Sequence, residues 1–306
     1  MMESGVGGRG RPRWADYLQL HLVVLAWGLT AVLGRLVTLP AWQLVVYRTF
    51  LAALGFGALA WWRGAPLRIG GREVLKLMGL GAVLGVHWVL FFTSARLANA
   101  SVCLAAMPTV MLWSSLIEPL VDGSRRWRWV ELLVGGITVG AVWMMYQVQL
   151  DAWRGFTVGL AAALTAAIFS VVNKQVVSRW PGPTLGFYQM LGGTVASLVC
   201  LPLLTEKGEP WLRLPTVQDA GWILILAWVC TVAAVWGYMD ALRRVSVFTV
   251  NVIYNLEPIY GMVLAVGVFG SEEVLRPGFY IGVGIIIVSV MLLPWLERWR
   301  GGDEAS

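Results

Sequence analysis

Charge is scarce in this chain. Only 13% of its 306 residues are Asp, Glu, Lys or Arg, about half the ~25% usual in soluble domains. A large soluble core is therefore excluded. Histidine is scarcer, limited to His21 and His87. The three cysteines, Cys103, Cys200 and Cys230, lie in apolar stretches without metal-ligand spacing. Neither a metal site nor a disulfide is implied. No G-x-x-x-x-G-K-[ST] run is present, so the chain encodes no ATP motor of that type. It also lacks an H-E-x-x-H run, a paired-aspartate motif on an apolar span, and a Ser/His pair suited to intramembrane proteolysis. An enzyme is disfavoured, and no cofactor or metal is expected.

What the chain has is apolar length. It is 58% hydrophobic with a mean hydropathy of +0.72. Ten long apolar segments fall at roughly 18–38, 42–62, 74–96, 100–121, 129–148, 155–177, 184–204, 219–241, 246–268 and 277–296. About 20 apolar residues cross the bilayer core as a helix, and in lipid the backbone must satisfy itself within such helices. The spacing predicts an all-α polytopic membrane protein with ten transmembrane helices. The first run is too long for the apolar core of a signal peptide, and no small-residue cleavage site follows it.

The net charge is +6 and the pI about 9.5. The basic residues mark the ends of apolar runs instead of clustering on a soluble face, so nucleic acid is not an expected partner. They set orientation instead. With the N-terminus in the cytoplasm, Arg9, Arg11, Arg13, Arg63, Arg68, Arg125, Arg126, Arg128, Lys174, Arg243, Arg244, Arg298 and Arg300 are among those that fall inside. The outer side and upper membrane keep Arg35, Arg48, Arg96, Arg154, Lys207, Arg213 and Arg276. An even helix count returns the C-terminus to the cytoplasm, and an inner membrane of bacterial type is expected. Most tryptophans lie near segment ends, as an aromatic belt requires.

The halves of the chain echo each other. YRTFLAALGF in the second segment matches YQMLGGTVAS in the seventh, and FFTSARLANASV stands where WGYMDALRRVSV stands later. With Ala95 set against Ala241, Gly136 falls on Gly282 without a gap. Five helices per copy is odd, so the second copy enters the membrane upside down. Two inverted five-helix repeats, 1–150 and 151–306, are expected, with a site at the midplane between them.

These features resemble the drug/metabolite transporter (DMT) superfamily, and specifically its EamA-type permeases. The residues that carry the resemblance are AWGLTAVLGR, YRTFLAAL, ALRRVSVFTVNVIYNLEPIYG and GFYIGVGIIIVSVMLL. It covers essentially the whole chain. It implies alternating access with small metabolites, amino acids among them, export being the commoner direction. One departure stands out: the first copy has Leu112 where the second has Pro258, and its own Glu118-Pro119 lies further on.

An acid at bilayer depth is a functional hypothesis by default. Glu257 lies in the middle of its segment, about 11 residues and hence ~16 Å from its start, on a polar stripe with Asn251, Tyr254 and Asn255. It can bind substrate or couple to protons, because a carboxylic acid withdrawn from water holds its proton more tightly. Alternatively it anchors the backbone that Pro258 disrupts. Glu118, near the end of its segment, is a gate acid or an interfacial residue. Arg48 lies too deep to be comfortable alone; it offers bidentate donors to a substrate carboxylate or pairs with an internal acid. His87 can titrate during transport or simply tie two helices. Tyr47, Tyr188, Gln189, Trp27 and Trp236 complete the candidate cavity lining, with packing as the alternative for the tryptophans. The expected partners are a small-molecule substrate, the lipid bilayer and protons. A non-transporting receptor or scaffold and a cation or drug exporter remain as alternatives; the sequence does not reveal the oligomeric state.

Overall fold

The structure, a computed structural model, describes residues 13–121, 129–205, 209–241, 244–245 and 247–303. Arg9, Arg11, Arg125, Arg126, Arg128, Lys207 and Arg243 lie outside them, as do the side chains of Asn251, Arg298 and Arg300. The described residues are helical and contain no strand. In order they form α1 (Trp14–Leu36), α2 (Ala41–Arg63), α3 (Gly71–Leu97), α4 (Ala100–Ala106), α5 (Val110–Val121), α6 (Trp129–Val148), α7 (Trp153–Lys174), α8 (Gly182–Leu204), α9 (Val217–Leu224), α10 (Ala234–Ala241), α11 (Val247–Tyr254), α12 (Glu257–Phe269) and α13 (Pro277–Asp303).

Among the described residues, seven helical stretches are long and apolar enough to cross a membrane: α1, α2, α3, Ala100–Val121, Leu150–Lys174, α8 and Val217–Ala241. Leu133–Gln147 and Pro277–Ser289 are shorter apolar helices. The chain is an integral membrane protein. Local chemistry sets several boundaries. The Asn99 side chain accepts the Val102 N–H at 2.8 Å and caps α4. Thr216 does the same for α9 through Asp219. Gly64, at φ 64°, ends α2 in a left-handed conformation that a side chain would strain.

Three segments expected as regular helices are interrupted. A 3₁₀ turn at Met107–Thr109 separates α4 from α5. A π-helical stretch, Ile225–Ala233, joins α9 to α10. The run expected at 246–268 is two helices, α11 and α12, separated at Asn255–Leu256. Proline explains the last break. In a continuous helix the Pro258 ring would meet the carbonyl of Tyr254. As the second residue of a new helix, its missing N–H is no loss.

Without a hydrophobic drive between helices in lipid, small residues bring them together. α3 crosses α8 where Gly81 and Gly85 face Gln189 and Gly193, and a β-carbon added at Gly81 would lie 1.9 Å from the Gln189 carbonyl oxygen. α8 also packs along α2, while α7 packs on α3, α4 and α5. α1 packs on α10, α11 and α12, and α6 packs on α13.

Candidate functional site

The break between α11 and α12 places Glu257 at the first residue of a helix. Glu257 is thus not carried midway along one continuous helix, as its sequence position predicts. Its carboxylate lies at the positive end of the α12 dipole, which favours an anion. The side chain is only half-buried, and it takes part in no ion pair among the described residues. Among the described residues it makes no side-chain hydrogen bond to the broken backbone.

The wall beside the break comes from α1. A β-carbon at Gly28 would lie 2.8 Å from the Gly261 nitrogen and 3.0 Å from the Glu257 carbonyl oxygen. The two backbones therefore touch. This contact sets the neighbouring Trp27 against two tyrosines, with ring centroids 5.3 Å from Tyr238 and 5.5 Å from Tyr254. One turn on, Tyr260 meets His21 Nδ1 through its hydroxyl at 2.7 Å. Trp27 and Tyr254 thus pack together next to the break that Glu257 follows. Tyr238 was not expected, since nothing in its local sequence marks it. Asn255 occupies the turn itself.

Arg48 is a buried charge, at 2% exposure. Its guanidinium lies over Trp88, 4.1 Å from the ring centroid, and 5.5 Å from that of Phe92. Nε and Nη2 both donate to Thr231 Oγ1, at 3.2 and 3.0 Å. Thr231 in turn donates to the Leu226 carbonyl at 2.8 Å, five residues back, which fits the π-helical register. No carboxylate pairs with Arg48 among the described residues. An uncompensated buried charge costs several kcal/mol. The internal acid that sequence reasoning allowed as a partner is not found among the described residues.

The remaining candidates lie elsewhere. His87 Nδ1 is 2.8 Å from the Ala162 carbonyl, so that nitrogen carries the proton and ties α3 to α7. Tyr47 donates to the Arg213 carbonyl at 2.9 Å. Tyr188 donates to the Leu67 carbonyl, and Gln189 donates to Asn173 Oδ1 at 2.7 Å. Trp236 lies under the Arg63 guanidinium, 4.5 Å from its centroid, beside a cavity of about 360 Å³ that also includes Gly182, Met239 and Asp240. Glu118 accepts from Lys174 Nζ at 2.6 Å.

One polar cluster escaped sequence reasoning. Glu273 is fully buried. It pairs with Arg35 at 2.6 Å and accepts the Ala100 and Ser101 N–H groups at 2.9 and 2.8 Å. Glu272 takes the second arm of Arg35 at 2.7 Å. Nearby, Asp219 accepts from the Thr38 backbone and hydroxyl at 2.8 and 2.7 Å. The Glu273 and Glu118 pairs thus sit at opposite ends of the Ala100–Val121 stretch. Asp219 left a sequence trace, since Thr216-x-x-Asp219 has capping-box spacing. Glu273 left none.

Comparison with known proteins agrees with this architecture. The EamA-like transporter family matches residues 15–147 and again residues 153–294. The uncharacterized transporter YwfM of Bacillus subtilis (strain 168) is 21% identical over 297 residues, covering 92% of this chain and 94% of YwfM. A crystal structure superposes with a TM-score of 0.63 at 16% identity, covering 94% of this chain and 100% of its own. That last likeness shows the fold alone.

Proposed function

The chain belongs to the EamA-like transporter family, and on that premise we propose that it is a secondary transporter exporting a small metabolite by alternating access. The cargo is amino acid-like or another polar or amphipathic compound, and Glu257 binds it or couples its movement to protons. The observation that carries this reading is the interrupted segment. Half-helix ends near the midplane are where secondary transporters hold substrates and coupling ions. Here an acid without an ion pair, among the described residues, opens such a half-helix beside three aromatic rings.

The proposal includes two inverted five-helix repeats, 1–150 and 151–306, and so ten membrane crossings. Three observations support it. The family matches the chain twice, with the join between residues 147 and 153. The packing partners exchange as an internal two-fold requires: α7 on α3, α4 and α5 mirrors α1 on α10, α11 and α12. The interruptions at Met107–Thr109 and Asn255–Leu256 also fall at nearly corresponding positions when Ala95 is set on Ala241. The proposal puts both termini in the cytoplasm of a bacterial inner membrane, and the bias of basic residues supports it. Protons, the bilayer and the small cargo are the partners.

The test is untargeted metabolite profiling of medium and cytosol from cells expressing wild type, Glu257→Gln or an empty vector. A compound enriched in the medium by wild type alone supports export and names the cargo. Profiles identical to vector, despite verified membrane expression, would sink it.

A further inference from the structure

We propose that Arg48 receives a carboxylate carried by the transported molecule, and that Thr231 occupies that place while the site is empty. This rests on the transporter reading and adds the chemical class of the cargo, a small carboxylic acid. Thr231 spends its only hydroxyl proton on the Leu226 carbonyl. Its lone pairs are thereby turned to Arg48, and they accept from both Nε and Nη2. One neutral oxygen is a poor match for a guanidinium, whose planar fork fits two oxygens of one anion.

The remaining terminal nitrogen, Nη1, is buried and has no hydrogen-bond partner among the described residues. Buried donors are nearly always satisfied, so an open one on a full charge marks a place for an acceptor. A monoanion suits the balance of charge. The titratable groups that act on Arg48 are His87 and Cys230. Neither adds a second cation that would favour a doubly charged phosphate. The Trp88 face under the guanidinium fixes its plane, so the free edge is held in one direction. Thr231 also lies in the π-helical stretch. A shift of that stretch to α-helical register would swing the hydroxyl away by about one residue's rotation and release Nε and Nη2 together.

The experiment is arginine footprinting of the purified full-length protein in detergent. Phenylglyoxal is the label, peptide mass spectrometry reads Arg48, and Arg63 serves as an exposed control. Phenylacetate and its uncharged isostere phenylacetamide are the probes. The expected result is slow labelling of Arg48 that phenylacetate suppresses several-fold and phenylacetamide does not. In Thr231→Val, labelling without probe is faster, and phenylacetate still protects. Arg48 that stays unlabelled in both proteins would be a sealed structural cation, and the proposal would be overturned. Labelling that both probes suppress equally, or that neither suppresses, would also overturn it. In that case a water path to the bundle interior would still stand, and with it the transporter reading. That reading is judged separately by metabolite profiling.

Discussion

Two acids next to prolines, Glu118 and Glu257, each sit in an interrupted helical segment, yet their settings differ. In the first segment the chain passes through a 3₁₀ turn at Met107–Thr109 with no acid at the turn. Its carboxylate arrives later, in α5, and meets the ammonium of Lys174 at 2.6 Å. In the second segment the helix stops outright, and Glu257 starts the next one without an ion pair among the described residues. A neutralised acid at a segment end can hold two helices together. An acid at an interruption, open on one side, is left to meet a mobile cation or proton. The two acids thus sit in different settings, one paired near a segment end and one at an interruption without an ion pair among the described residues.

The sharpest way to break this comparison is to neutralise each acid in turn. Glu257→Gln is expected to bring wild-type-dependent export down to the vector level while leaving expression and thermal unfolding nearly unchanged. Glu118→Gln should leave export measurable. Equal loss in both variants would erase the distinction.

A second comparison is between the buried and exposed pairs. Glu273 is fully buried and satisfies one cation and two backbone donors. Glu273→Ala is therefore expected to destabilise the detergent-solubilised protein by about 3–5 kcal/mol, read as a fall in thermal or denaturant midpoint. A third test is Gly28→Ala. Its new methyl would press on the Gly261 backbone, and overpacking of this kind costs about 1–3 kcal/mol. Gly136→Ala meets nothing within 4 Å and is the matched control. The smallest effect belongs to the Lys174–Glu118 pair. Lys174 is 70% exposed, so a double-mutant cycle of Lys174→Met with Glu118→Gln should give a coupling of about 0–1 kcal/mol that weakens with salt.

Much of this was legible in the chain itself. The apolar runs are long enough to force helices, and their small residues mark where helices cross. Glu257 stood out because an acid in such a run is rare. Its setting was harder to read. The sequence places Pro258 inside one apolar segment, whereas Asn255 and Pro258 together are a stop followed by a start. The partners of Arg48 were not legible, because Thr231 lies 183 positions away and reaches Arg48 only through π-helical register. Glu273 was hidden for a similar reason. Its position in a short connection looks interfacial until Arg35 and the start of α4 close over it.

The split of the 247–269 region also bears on how the protein is made. α11 has 8 residues and α12 has 13, or roughly 12 and 20 Å of helix, each short of a ~30 Å hydrocarbon core. Neither would be recognised by the insertion machinery as a complete span. Their partner, α1, lies earlier in the chain and is synthesised before them, and it presents Gly28 toward Gly261. The least autonomous part of the chain thus enters the membrane late, after the surface it must dock against has already been synthesised.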